Sequence, residues 1–259
     1  MRRDARGRLL APVEINGQGP FHLVVNTAAS CCVVTEHVAQ CLKLPVDEVA
    51  STLVHGVTAD TRVRSIRVES LSVGDKRIPV STLPIVVHEG DGADGYLSVW
   101  VLTQECALVE ITCNKLTLPA HRPRDNAGDA VSVRIKQLAG HLVAFESRIQ
   151  GISVTTILDT GSDRTIGNLS LVRALGARAP AQHSPGIWQS LPPIKVSSLK
   201  VLGVRAFCSD LPLFDYLKLK ATPAILLAMD VLGRFDSLLI DYENQLIQLR
   251  LRSGDRAAS

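Results

Sequence analysis

Aromatic residues make up only 4% of this 259-residue chain, although hydrophobic residues make up 46%. That shortage argues against a stacked platform for nucleotide bases. It leaves valine, isoleucine and leucine to fill the interior, as in sheet proteins. An excess of one charge is also missing: 28 basic minus 25 acidic residues leaves +3, too little and too dispersed for a nucleic-acid partner. The main basic cluster, "MRRDARGR" at the start, reads as a solvated terminus. No run of 18 apolar residues occurs, so no membrane-crossing helix is expected. Asp4, Arg6 and Arg8 interrupt any secretory apolar region. The expectation is a cytoplasmic protein, or else the processed form of an exported one.

The side chains that hold metals or act as nucleophiles are present without their usual spacings. Cys31, Cys32, Cys41, Cys106, Cys113 and Cys208 show no zinc-like pattern and are expected as buried, reduced thiols. The seven histidines show no metal-binding pair on one helix face. A G-x-S-x-G turn is absent, and "NGQGP" is not a phosphate loop, because no strand precedes it with a helix following. No metal or cofactor is expected.

What the chain does have is a repeat. "LVVNTAAS" (residues 23 to 30) and "TILDTGSD" (156 to 163) share one grammar, in which an apolar run ends in a single small polar residue and a tight turn. Asn26 aligns with Asp159, an offset of 159 − 26 = 133. A second match, "GYLSVWVL" (95 to 102) with "ILLAMDVL" (225 to 232), has an offset of 130. Each is followed by an alternating strand and a hairpin, with Cys113-Asn114 and Glu243-Asn244 at turn positions. Two matches at nearly equal offsets imply two similar lobes, residues 1–122 and 123–259. The seam falls in "PAHRPRDNAGDA", where Pro, Gly, Asp and Asn accumulate. Gly74-Asp75 reads as a further turn, and two or three short helices are expected near 36–43, 168–175 and 229–234. The fold class is therefore mostly β, with each lobe a small closed or nearly closed sheet.

"ILDTGSDRTI" followed by "AILLAMDVLGRFDSLLIDYENQLIQL" resembles the retropepsin-like aspartic proteases, and "GRLLAPVEINGQGPFHLVVNTAAS" resembles the opening of their bacterial single-chain, two-copy members. The likeness runs from about Gly7 to Leu249. It implies two β-barrel lobes related by a pseudo-twofold axis, with an active-site loop from each. In this family two carboxylates about 3 Å apart share one proton. The ionised one acts as base on a water, and the protonated one donates to the scissile carbonyl.

Carried over, Asp159, Thr160, Gly161 and Ser162 keep the full motif, whereas in the first lobe Asn26 stands for the acid and Ala28 for the glycine, with Thr27 retained. An amide neither holds a negative charge nor exchanges a proton at neutral pH. Ser98 and Ala228 stand behind the loops where the family usually has glycine; the added atoms are either accommodated or displace the loop. Trp188 and the segment "HGVTADTR" fall where flaps over the cleft are expected, or else in ordinary exposed loops. For both Asp159 and Asn26 a purely structural turn-capping role is the alternative.

Three functions follow. The first is a protease-family protein whose cleft binds an extended peptide or unfolded polypeptide with impaired or absent peptidase activity. The second is a working aspartic endopeptidase using Asp159 alone or through a homodimer. The third is a partner-binding protein without a substrate cleft. Monomer and homodimer both stay open.

Overall fold

A computed structural model describes residues 1–55, 60–87, 92–102, 106–119, 130–177 and 185–252. The strand Leu9–Ile15 is buried except at Pro12 and Glu14, and turns back through Asn16-Gly17 into Gln18–Asn26. Both turn residues have positive φ, 52° and 70°, which matches the twist of a two-residue hairpin. The second lobe repeats the device: Leu142–Ile149 turns through Gln150-Gly151, φ 51° and 84°, into Ile152–Leu158.

The returning strand of each hairpin then pairs in parallel with a distant segment. Gly95–Ser98 lies beside Leu23 to Asn26, and Ala224–Leu227 beside Thr155 to Leu158. A strand flanked on both sides and covered on both faces needs a continuous apolar run, which is why "LVV" and "IL" precede the two polar residues. Gly95 is required by close approach, since a Cβ there would overlap the Val33 carbonyl.

The first lobe forms a ten-stranded sheet and the second a nine-stranded one. A five-stranded sheet built from both halves joins them, with Cys106–Glu110 antiparallel to Phe235–Asp241 at its centre. Leu108 pairs with Leu239, its own counterpart at an offset of 131, as expected where a two-fold axis passes between antiparallel strands. The architecture is mostly β and two-lobed with pseudo-twofold symmetry, as the repeat indicated. Hairpin turns lie at Gly74-Asp75, at Cys113-Asn114 and at Glu243-Asn244. Most of the expected seam, residues 120–129, lies outside the described residues.

Three corrections follow from the coordinates. Five short helices occur among the described residues, including Val99–Leu102 and Pro212–Tyr216, which were not expected. "VWVL" has β-branched and aromatic residues that read as strand, although its counterpart Met229–Leu232 in the repeat was recognised as helical. The cysteines are all free, but Cys41 and Cys113 are exposed and Cys31 is half-buried. The basic start of the chain is no solvated tail. Arg2–Arg3 pairs as a strand with Leu9 and Leu10, Arg3 donates to the Ile111 carbonyl at 2.7 Å, and Arg8 is only 2% exposed.

Candidate active site

The two polar residues at the strand ends come together through their threonine neighbours. The Thr27 hydroxyl donates to the Leu158 carbonyl at 2.9 Å and accepts from the Thr160 backbone N–H at 3.1 Å. The Thr160 hydroxyl does the reverse, donating to the Val25 carbonyl at 2.7 Å and accepting from the Thr27 N–H at 3.1 Å. All four bonds are buried and obey the two-fold relation, so each loop is tied to the backbone of the other.

Asp159 is 1% exposed, accepting from the Gly161 N–H at 3.0 Å and from the Ser162 hydroxyl at 2.6 Å. Burial pushes its carboxyl above the ordinary carboxylate range; the bonds from Ser162 and Gly161 and the nearby Arg8 guanidinium oppose this without cancelling it. Asn26 makes the corresponding first bond, its Oδ1 accepting from the Ala28 N–H at 2.7 Å. That fixes the amide orientation and leaves Nδ2 against Gly161, where a Cβ would overlap it. Gly161 is thus kept small by the side chain from the opposite loop. The Ala28 methyl packs instead beside the cluster containing Leu213 and Phe214.

Asn26, Ala28, Asp159, Gly161 and Ser162 line one cleft of about 660 Å³. Thr27 and Thr160 lie behind it, both fully buried. The long hairpin Val46–His55 with Asp60–Arg67 forms another wall through Val54 and residues 61–64. This agrees with a flap in "HGVTADTR", whose residues 56–59 lie outside the described ones. The second lobe has no hairpin of that length among its described residues. The offset between lobes falls from 133 at the loops to 194 − 71 = 123 at the strands Leu71–Val73 and Ile194–Val196, a shortening of ten residues. Trp188 does not line the cleft; it lies on the end strand of the second sheet.

Other contributors carried little sequence signal. Arg8 pairs with Asp4 at 2.7 Å and reaches the Tyr96 hydroxyl and the Gly161 carbonyl, each at 3.3 Å. Nothing local in the sequence marked it, since residues 4–8 form a turn between two strands. Behind Asp159, Asp230 accepts from the Thr165 hydroxyl at 2.7 Å and from its N–H at 3.2 Å, and the Thr165 oxygen accepts from the Ala228 N–H at 3.2 Å. The alanine at 228 is therefore accommodated. Ser98 is too: its hydroxyl donates to the Ala29 carbonyl at 2.6 Å and accepts from the Val101 N–H at 3.3 Å. Among the described residues no group of three His, Cys, Asp or Glu side chains is placed to hold a metal ion.

The fold has counterparts among known proteins. A family model described as aspartyl protease matches residues 11–100, which span the first lobe from its first long strand to the segment behind Asn26. The crystal structure of an aspartic proteinase from Irpex lacteus aligns with 98% of this chain and 97% of that chain at a TM-score of 0.56, with 14% sequence identity, a likeness of fold. No curated protein matches the sequence. The first lobe thus resembles the aspartyl protease family model, and the whole chain shares the fold of a pepsin-like aspartic proteinase.

Chemically, the site offers one carboxyl able to take or give a proton and one amide able to donate a hydrogen bond. Asn26 can hydrogen-bond a carbonyl oxygen through Nδ2 but cannot protonate it.

Proposed function

We propose that this chain binds an extended peptide or unfolded polypeptide in the cleft between its lobes, divided near residue 122, with peptidase activity impaired or absent. The observation that carries the reading is the pair of matching bonds, Ala28 N–H to Asn26 Oδ1 at 2.7 Å and Gly161 N–H to Asp159 Oδ1 at 3.0 Å. The loop conformation is preserved where the acid is not. Asp159 and Asn26 are the central residues. Thr27 and Thr160 join their loops, Ala28 donates its N–H to the Asn26 amide, Gly161 leaves room for that amide, and Ser162 holds the Asp159 carboxylate. The reading calls for no cofactor. No helix among the described residues is long and apolar enough to cross a membrane.

The alternative is an active endopeptidase, and the raised carboxyl of Asp159 favours it, because a group titrating nearer neutrality transfers protons more readily. A homodimer that brings two Asp159 loops together is disfavoured, because Thr160 is already bonded to Thr27 within one chain. Binding of pepstatin, measured by calorimetry, tests the cleft, and hydrolysis of unfolded casein tests the chemistry. Pepstatin binding without hydrolysis supports the proposal. Hydrolysis that Asp159→Ala abolishes supports the alternative. Failure to bind either ligand overturns both.

A further inference from the structure

Two residues beyond the cleft-lining Ser162, the loop of Asp159 carries Arg164. Its guanidinium lies 5.7 Å from the centroid of the Trp188 ring, and that of Arg205 lies 5.5 Å from the same ring. Phe207, the cross-strand partner of Trp188, tilts against the indole at 5.5 Å and steadies it. Trp188 is still 46% exposed, a large hydrophobic residue left in solvent. Its strand, Ile187–Ser190, ends the nine-stranded sheet.

Like charges repel, and a single aromatic face offsets only part of that. The carboxylate beside Arg164 is Asp163, 3.6 Å away. Arg205 has no carboxylate within ion-pair distance among the described residues. The group is thus one negative charge short of balance, with its two cations held by one ring. An exposed indole can cover the methylenes of an acidic side chain while the guanidiniums take its carboxylate.

We infer that Arg164, Trp188 and Arg205 form a subsite for an acidic side chain of the polypeptide bound in the cleft. The inference rests on the peptide-binding reading above and adds the substrate class. Ser162 and Arg164 are at most about 7 Å apart along the chain. An extended peptide advances about 3.3 Å per residue, so the acidic residue sits about two to four positions from the one lying over Asp159.

The test uses a short labelled apolar peptide in which one glutamate is moved position by position, with a glutamine twin at each, and reads affinity by fluorescence anisotropy. The expected result is one position, or two adjacent ones, where glutamate binds about fivefold tighter than glutamine, the scale of a well-placed exposed charge pair. In Arg164→Gln/Arg205→Gln that preference disappears while the glutamine peptides bind as before. In Arg205→Glu the same position prefers lysine. Binding with no glutamate preference, or a preference that survives the double substitution, overturns the subsite and leaves the cleft reading intact. If neither the peptides nor pepstatin bind, the cleft reading falls and the subsite with it.

Discussion

The loop after Asp159 and the loop after Asn26 share a path but are held by different chemistry. Around Asp159 polar side chains do the holding: Ser162 on the carboxylate, and Asp230 on Thr165, whose hydroxyl in turn supports the Ala228 N–H. The corresponding first-lobe positions are Ala29, Trp100 and Cys32, by the offsets of 133 and 130. Cys32 is buried and keeps a bond from the Ser98 backbone, the counterpart of Ala228, while Trp100, in the place of Asp230, packs edge-on against Tyr242 at 5.3 Å. Polar ties there also run from the Ser98 hydroxyl to the Ala29 carbonyl and from the Val101 N–H to the Ser98 oxygen. The helix starts differ in the same way. Asn168 accepts from Leu171 and Ala224 N–H and donates to two carbonyls, whereas Thr35 caps nothing with its side chain.

The two strand ends differ in the donors they offer. At position 159 a carboxylate meets two local donors, while position 26 offers only the Ala28 N–H. An amide is the group that this sparser setting supports without an ionisation cost.

The comparison breaks most severely at Arg8, which joins the first lobe's opening strand to the second lobe's loop. Its pair with Asp4 is almost wholly buried, with side-chain exposures of 3% and 1%. Arg8→Met leaves Asp4 charged and the Gly161 carbonyl short of a donor, so a loss of about 3–5 kcal/mol is expected, read by urea unfolding. Pairing it with Asp4→Asn should recover part of the loss. A destabilisation under 1 kcal/mol, the scale of an exposed pair, would mean that the guanidinium is solvated after all.

Next in size is the threonine lock. Thr27→Val and Thr160→Val each remove one hydroxyl that both donates and accepts across the lobes, and about 1–3 kcal/mol is expected from each. Because the bonds are two-fold related, the two losses should be similar, and the double variant should cost less than their sum. Clearly unequal losses would show that one lobe depends on the lock more than the other.

The smallest expected effect concerns pH. Burial raises the Asp159 carboxyl, so the folded chain keeps that proton to higher pH than the unfolded chain does. Its contribution is fully present at low pH, where both states are protonated. It declines as pH rises from the ordinary carboxylate value through the raised one. Asp159→Asn should remove this decline, seen as a flatter dependence of Tm on pH from the acid range to neutrality. An unchanged slope would place the titration elsewhere.

Much of this was legible in the sequence because it is repeated. Two matches at offsets of 133 and 130 marked the lobes and set Asn26 against Asp159, and Gly74-Asp75 and Cys113-Asn114 marked turns by composition. What stayed hidden depends on long-range contacts. Arg8 sits in a basic run that looks solvated, and only the fold brings Gly161 to it across 153 positions. The clamp of Asp230 on Thr165 spans 65 residues with no local signature. Trp188 sat where a flap was expected, but it does not line the cleft.

The central claim is that Asn26 preserves the loop and removes the chemistry. Asn26→Asp together with Ala28→Gly places a second carboxyl beside Asp159, lets the two share one proton and restores the glycine of the matching motif. Casein hydrolysis at mildly acid pH should then rise by about 10²-fold or more over the unmodified chain, with Asn26→Asp alone giving a smaller gain and Asp159→Ala abolishing both. Equal hydrolysis by the unmodified chain and the double variant would contradict the claim, because Asn26 would then never have been the block.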